Sequence, residues 1–440
     1  MAAPPPRVLI VGGGYVGTYT ALKLRRPARR GRLEVTLVAP DSFMTYQPFL
    51  PEAAAGNIEP RHVVVPLRRA LRGVQVLAGE ITAADPVRRV ASFRPAEGEP
   101  YELPYDVLVV GCGSVSRVLP VPGLAENGVG FKSLPEAIYL RNRVLSRMDA
   151  AEATEDEAAR RRALTFVFVG GGYAGVEALA ELEDLSRDAA RLYRRVRRED
   201  MRWVLVEAAD TILPEIGPGL AVHALDRLRS RDIEVHLETR LESATDGRMR
   251  LSDGAAFEAD TLVWTTGVRA HPLASRLGLP VDERGRLAVD AELRVREADR
   301  IWAAGDCAAV PDLVAGGIAP PTAQHALREA RRLGKNIRDT LRGREPRPFR
   351  YRSRGGLVSL GRYQGVARVL GIRLRGFPAW FLHRSYHVLM LPTINRKVRV
   401  MADWTLALFF RRDIVQLGSL QDPRRAFAEA TEADRRAGQP

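Results

Sequence analysis

The same phrase opens two separate strand-to-helix junctions: VGGGYVG at residues 11–17 and VGGGYAG at 169–175. Each has the spacing G-x-G-x-x-G, with Gly12, Gly14 and Gly17 in the first and Gly170, Gly172 and Gly175 in the second. Each follows a short β-branched run, RVLIV (7–11) or LTFVFV (164–169), and opens a helix-like pattern. In that context the first Gly permits a tight turn, the second admits a pyrophosphate to the backbone, and the third lets helix and strand pack closely. The pyrophosphate then meets the unpaired N–H groups of a helix N-terminus. Glycine turns without ligand are the alternative for either motif alone. Finding both favours two bound dinucleotides.

The rest of the chain repeats around these motifs. LEVTLV (33–38) completes a β-turn-α-β unit after the first, and RWVLVE (202–207) after the second. YDVLVVGCGS (105–114) and DTLVWTTGV (260–268) read as buried strands ending in glycine turns, which makes Gly113 and Gly267 candidate cofactor contacts. Helices are expected over 150–163, from Gly175 through residue 198, and over 319–341. The predicted fold class is α/β, with two Rossmann-like dinucleotide-binding domains, one inserted in the other. The boundaries are 1–120 with 283–350 for the first domain, 121–282 for the second, and 351–440 for a C-terminal region of different composition.

The acid expected after the second strand of each unit separates the two sites. Glu207 closes RWVLVE, where a carboxylate binds a ribose 2′-OH and repels a 2′-phosphate, favouring NADH over NADPH. The first unit holds Ala39 at that position, with Asp41 two residues later as its candidate substitute. Asp306, after the strand in IWAAGDCA, is placed to accept a hydrogen bond from a flavin ribityl hydroxyl; a plain strand-ending acid is the alternative. The helix starting near Thr322 would aim its N-terminus, with Ala323 and Gln324, at the flavin ring, where it would stabilise negative charge. Thr322 is equally an ordinary N-cap.

A length of 440 residues suits two or three domains. MAAPPP runs into a strand with no apolar leader segment, and no stretch reaches the ~18 uncharged apolar residues of a membrane span. The two cysteines, Cys112 and Cys307, form no CxxC, which fits a reducing cytoplasm. No metal site is expected. The formal charge is +14, and residues 351–425 hold 13 Arg and one Lys against three Asp, a local excess of +11. Within that region FPAWFLHRSYHVLMLP (377–392) carries apolar residues around most of a helical wheel, with His383, Arg384 and His387 as a polar wedge. Trp380, Trp404 and the arginines suit a helix lying on an anionic lipid surface, and a homodimer seam is the alternative. No nucleic-acid module accompanies the charge, so nucleic acid is not expected as a partner.

The order GGGYVG, GGGYAG, WTTGV, AAGDCA resembles that of two-dinucleotide flavoprotein reductases of the pyridine nucleotide-disulfide oxidoreductase type. More specifically the chain resembles type II NADH dehydrogenase, the single-subunit NADH:quinone oxidoreductase, over roughly residues 7–420. VTLVAPDSFMTYQPFLPEAAAG, FKSLPEAIYLRNRV, PPTAQHALREA and HVLMLPTINRKVRVMADW carry the likeness. The resemblance implies FAD held by Gly12, Gly14, Gly17 and Asp306, with Tyr46, Gln47 and Pro48 beside the flavin ring. It implies NADH held by Gly170, Gly172, Gly175 and Glu207, and Glu177 facing the nicotinamide–flavin contact as an orienting or proton-relaying acid. Glu177 as a carboxylate serving the helix dipole is the plain alternative.

The implied reaction passes hydride from NADH to flavin and two electrons on to a membrane quinone, at the cytoplasmic membrane face and without proton pumping. Two departures bear on this. Ala39 lacks the usual acid, and the family phrase A-Q-x-A-x-Q becomes Ala323-Gln324-His325-Ala326-Leu327-Arg328. His325 is a candidate donor to a quinone carbonyl. A soluble NADH-dependent reductase with a protein or small-molecule acceptor is the first rival, and a non-catalytic NADH-binding redox sensor the second. A sulfide:quinone oxidoreductase is disfavoured, because it needs redox cysteines beside the flavin.

Overall fold

The computed structural model describes residues 4–416. The chain enters through β1 (Arg7–Val11), α1 (Tyr15–Arg29) and β2 (Glu34–Ala39). A short helix α2 (Leu50–Ala54) precedes β3 (Gln75–Asp85), β4 (Val90–Pro95), β5 (Tyr101–Pro104) and β6 (Val107–Val110). β7 (Gly128–Val129) and α3 (Leu134–Ala153) lead to β8 (Thr165–Val169), α4 (Tyr173–Ala190), β9 (Arg202–Val206), β10 (Ile233–His236) and β11 (Thr261–Trp264). β12 (Ile301–Ala303) and α5 (Ala323–Thr340) follow. The described chain ends with β13 (Gly355–Ser359), β14 (Gly365–Val369), β15 (Ile372–Arg375), α6 (Phe377–Met390) and α7 (Ile394–Phe409).

The first sheet has the order β12-β6-β1-β2-β3-β4-β5, parallel from β12 to β3. The second is fully parallel, β7-β11-β8-β9-β10. The chain therefore leaves the first sheet after Val110, builds the second, and returns at Ile301. β1 and β8 are each flanked by strands on both edges, and their residues are buried beyond Arg7. That is why both read as unbroken apolar runs rather than alternating ones. β13, β14 and β15 form a separate antiparallel sheet.

Two predicted helices differ from those observed. α4 ends at Ala190, eight residues before the predicted end. The amides of Arg194, Arg195 and Val196 instead donate to the Glu152 carboxylate at 2.9–3.1 Å, so a side chain satisfies backbone that a longer helix would have paired. The segment 150–163 is two helices. α3 stops at Ala153, and Asp156 caps a new turn by accepting the Ala158 and Ala159 amides.

The polar wedge of α6 points inward. His383 is 2% exposed and contacts Glu177, while Phe377 and Phe381 on the same helix are more than half exposed. Trp380 and Trp404 are also drawn in, corrected from an expected place at a lipid boundary. The Arg384 guanidinium lies over both rings, 4.1 and 4.7 Å from their centroids, and Trp404 Nε1 donates to Glu52 at 2.9 Å. Arg384 itself reaches Glu52 at 2.6 Å. Buried polar groups must pair, and Glu52 on α2 and Glu177 on α4 supply the partners.

Candidate dinucleotide sites

The turn after β1 is built by close packing. Gly12 has φ +102°, and a Cβ on Gly17 would lie 1.8 Å from the Gly12 carbonyl oxygen. A Cβ on Gly14 would meet nothing within 4 Å, because Gly14 faces an open cavity of about 540 Å³. The second motif repeats this division: Gly170 has φ +117°, a Cβ on Gly175 would lie 2.0 Å from the Gly170 oxygen, and Gly172 is open. Thus one glycine of each motif closes the helix onto the turn, and another leaves the approach to the helix N-terminus clear.

The cavity brings together Gly12, Gly14, Asp41, Gln47, Gly113 and Asp306, as well as Ala39. Ala39 packs toward Gly13, where a Cβ would come within 2.8 Å of it, and exposed Asp41 is the acid this wall retains. Pro48 sits in the same turn as Gln47 but does not line the cavity. Thr322 caps α5, its hydroxyl accepting the His325 amide, and lines a small cleft shared with Asp306. Ala323, the first residue of α5, lines neither space.

Several residues at this wall were not singled out from the sequence. Ser114 donates to Asp306 Oδ2 at 2.5 Å, and the Lys132 ammonium bonds Ser114 in turn. Burial lowers the Lys132 pKa, against the pull of Asp306 and Glu136. Glu329 Oε2 accepts the Gly305 amide at 2.7 Å, and burial raises its pKa to about 7. The capping box Ser133–Glu136, legible as S-x-x-E, positions Lys132 at the start of α3.

The two cysteines, distant in sequence, meet in space. β6 and β12 are neighbours, so the residues that follow them converge, and beside Cys112 the Cys307 thiol donates to the Val110 and Ala304 carbonyl oxygens at 3.7 and 3.4 Å. The neighbouring Cys307 thiol and burial raise the Cys112 pKa. Cys112 lines the cavity and Cys307 is buried beneath it.

The second site lies outside this cavity. Glu207 accepts the Gly171 and Ala209 amides, at 2.5 and 2.8 Å, at the end of β9. Gly267 has φ +107° and its carbonyl accepts the Arg117 amide. Glu177 on α4 is buried, receives the Ser359 amide at 2.8 Å and faces His383 Nε2 at 3.2 Å. Burial raises its pKa to about 8, so it carries a proton at neutral pH.

On α5, Gln324 accepts the Tyr351 hydroxyl at 2.9 Å. Arg328, in place of the family glutamine, donates to the Gln324 carbonyl oxygen and stacks 4.3 Å over the Tyr351 ring. His325 is buried, with Nδ1 2.8 Å from the Thr322 hydroxyl.

The residues at the larger cavity fit a flavin dinucleotide. A helix N-terminus left clear at Gly14 suits the pyrophosphate, and Asp306 suits a polyol hydroxyl.

The pyridine nucleotide-disulphide oxidoreductase family matches residues 6–330. A probable NADH dehydrogenase of Dictyostelium discoideum is 30% identical over 419 residues, covering 93% of this chain and 90% of that one. The type II NADH:quinone oxidoreductase Ndh of Mycobacterium tuberculosis is 29% identical, with the same coverage. The structure of NDH2 from Plasmodium falciparum in complex with NADH superposes with a TM-score of 0.87 at 18% identity, covering 93% of this chain and 99% of that one. The chain therefore belongs to the pyridine nucleotide-disulphide oxidoreductase family, beside its type II NADH dehydrogenases.

Proposed function

We propose that this chain is an FAD-dependent NADH:quinone oxidoreductase. The observation that carries the reading is the pairing of unequal cradles. One lines a cavity that ends at Asp306, and the other ends at the ribose-type acid Glu207. Relatives at 29% identity over nine-tenths of the chain carry the same activity in their names. Flavin, when bound, accepts a hydride and releases its two electrons to a second substrate. The protein's part is to hold and orient. Gly12, Gly14, Gly17, Gly113, Asp41, Gln47, Pro48, Asp306, Thr322 and Ala323 hold the flavin nucleotide. Gly170, Gly172, Gly175, Gly267 and Glu207 hold NADH. Glu177, protonated and buried, and Gln324, at the head of α5, serve the two substrates. Residues 1–120 with 283–350 form the FAD domain and 121–282 the NADH domain.

The C-terminal region is the membrane-facing side in this reading. Among the described residues no helix is long and apolar enough to cross a membrane. Phe377, Phe381, Leu389, Ile394, Phe409 and Phe410 are exposed on α6, α7 and the residue after, beside the exposed Arg362, Arg399 and Arg411. Apolar side chains rimmed by arginine suit the surface of an anionic bilayer on the cytoplasmic side, from which a lipid quinone would enter. A homodimer seam is the competing use of the same face. Residues 417–440 of that region lie outside the described residues.

One assay tests the function. The purified protein should show bound flavin by absorbance and oxidise NADH with menaquinone or ubiquinone analogues. Failure of both quinones to reoxidise the flavin, with a protein carrier or dye succeeding, would favour the soluble reductase.

A further inference from the structure

The fold gathers a second basic surface from two segments that lie far apart in the chain. α1 holds Lys23, Arg25, Arg26 and Arg29 and no acid. α5 holds Arg328, Arg331, Arg332, Lys335 and Arg338 against Glu329 and Asp339. Glu329 is buried, with its carboxylate on the Gly305 amide, which leaves Asp339 in the last turn to offset these cations. The two helices lie side by side. Gly334 leaves no room for a side chain, since a Cβ there would lie 2.7 Å from that of Lys23. The Thr20 hydroxyl donates to the Ala330 carbonyl at 3.3 Å. Spacing of three and four then sets Arg328, Arg331, Lys335 and Arg338 in one stripe along α5, and Tyr19, Lys23 and Arg26 in another along α1.

Elsewhere exposed arginines take acidic partners, as Arg88 does with Glu102 at 2.8 Å and Arg202 with Glu234 at 2.7 Å. Among the described residues, Lys23, Arg26, Arg331, Lys335 and Arg338 form an ion pair with no acid. Burial lowers the Lys23 pKa, and Arg331, Lys335, Arg338 and Arg26 lower it further. Like charges this close repel one another, and an anion outside them relieves the repulsion. Arg26, Arg331 and Lys335 are exposed to receive it. The stripe also has an apolar border. Arg331 lies over the Tyr19 ring, 5.7 Å from its centroid, and Tyr19 Oη donates to the Met390 carbonyl at 2.7 Å. Met390 ends α6, beside Leu389 and Ile394, which are 63% and 79% exposed. Lys397 Nζ reaches the same corner, donating to the Leu389 carbonyl at 2.8 Å. Cations bordered by exposed Leu and Ile match a bilayer interface, where apolar chains enter and positive charge meets phosphate. An acidic protein is the rival occupant.

We propose that the paired stripes of α1 and α5 bind the phosphate headgroups of an anionic bilayer, so that the FAD domain itself lies on the membrane. The inference deepens the membrane-facing reading of α6 and α7 and rests on it. It adds a contact that the C-terminal helices do not supply, and it gives the stripe a direction. Arg328 heads it, one turn from Gln324, and donates to the Gln324 carbonyl at 2.9 Å. A bilayer lying along α5 therefore reaches the first turn of that helix, where a lipid-borne acceptor would arrive.

Reversing charge locally tests the docking. Arg26→Glu with Lys335→Glu changes one exposed cation on each helix, and neither residue lines the flavin cavity. Pelleting with phosphatidylglycerol vesicles should weaken at least about tenfold, with a shallower salt dependence. Arg26→Lys with Lys335→Arg keeps the charge and should pellet like wild type. Arg248→Glu with Arg250→Glu makes the same change in net charge at exposed positions of another strand, Arg248–Leu251, and should also pellet like wild type. NADH oxidation by ferricyanide should be unchanged in all three, which shows that they fold. Oxidation by a long-chain quinone held in the vesicles should fall in the stripe variant alone. Equal pelleting of the stripe variant and wild type overturns the proposal and leaves the stripe to an acidic protein. An equal loss in the 248/250 variant also overturns it, because net charge would then suffice. If wild type pellets with no vesicle, the membrane-facing reading falls as well. If wild type pellets through the stripe but reduces no quinone, the docking stands and the quinone reading fails.

Discussion

Glu207 Oε2 accepts the Gly171 amide at 2.5 Å, and this one bond ties the acid at the end of β9 to the glycine turn after β8. The carboxylate is thereby fixed beside the second dinucleotide cradle, and a 2′-phosphate brought there would meet a negative charge. Glu207→Gln keeps a hydrogen-bond acceptor for the amide and removes the charge. Its thermal stability should stay close to wild type, while the preference for NADH over NADPH in kcat/KM falls by about tenfold or more. An unchanged ratio in steady-state assays with both cofactors would remove Glu207 from the specificity argument.

The first motif separates folding from binding. Gly17→Ala puts a methyl 1.8 Å from the Gly12 oxygen, against backbone that cannot swing aside, and should yield little folded protein. Gly14→Ala adds its methyl to open space and should fold with a near-normal melting curve. That methyl stands where the pyrophosphate approaches, so FAD affinity should drop at least ~10-fold. Flavin fluorescence titration of the refolded apoprotein checks this. A Gly14→Ala protein that retains full flavin would sink the assignment of this cavity.

These two motifs were legible because their physics is local: strand, turn and helix fall within one short stretch, so spacing alone implies geometry. Asp306 was found the same way, from a strand followed by Gly305. The environment of Asp306 was not. Ser114, Lys132 and Glu329 reach this wall from three other segments, and no periodicity joins them. The inward turn of His383 and Arg384 was hidden for a related reason. A helical wheel shows that a polar wedge exists but not what lies opposite it, and here the partners, Glu52 and Glu177, come from α2 and α4. The cysteine pair illustrates the same limit, since only the adjacency of β6 and β12 brings Cys112 and Cys307 together.

Glu177 leaves a signature in stability against pH. Burial raises its folded-state pKa from 4.5 to about 8, so between those values the folded chain holds a proton that the unfolded chain has lost. Stability therefore falls as pH rises through that window and is flat above it. His383 acts in the opposite sense lower down. Its pKa is lowered from 6.5 to about 3, so its contribution rises with pH between those values. Glu177→Gln should melt higher than wild type above pH 8, with the advantage shrinking toward pH 4.5. A constant difference across a pH series of melting curves would show that Glu177 does not titrate as described.

Arg384 pairs with Glu52 at 2.6 Å, with both side chains largely buried. Removing one partner of such a pair leaves an uncompensated group, typically at a cost of about 3–5 kcal/mol. Arg384→Ala should therefore lower the unfolding midpoint markedly and loosen α6 and α7 from α2. The double variant Arg384→Met with Glu52→Gln should recover much of the loss, because no buried charge is then left alone. Denaturant unfolding of the single and double variants measures the coupling. A fully additive double variant would mean that the pair is not acting as a unit.

The exposed face of α6 and α7 should bind lipid in a way that depends on both its apolar side chains and its charge. Phe381 and Phe409 are 60% and 78% exposed, and burying such a ring is worth up to about 3 kcal/mol. Wild-type protein should pellet with vesicles containing phosphatidylglycerol and release as salt is raised. Phe381→Ser with Phe409→Ser should weaken pelleting by at least ~10-fold without altering NADH oxidation by ferricyanide, because neither residue touches the dinucleotide cradles. Sedimentation velocity distinguishes the competing use of the face. If wild type is a dimer, the serine variant a monomer, and neither pellets with lipid, the exposed aromatics are a seam between two copies and the quinone must enter elsewhere.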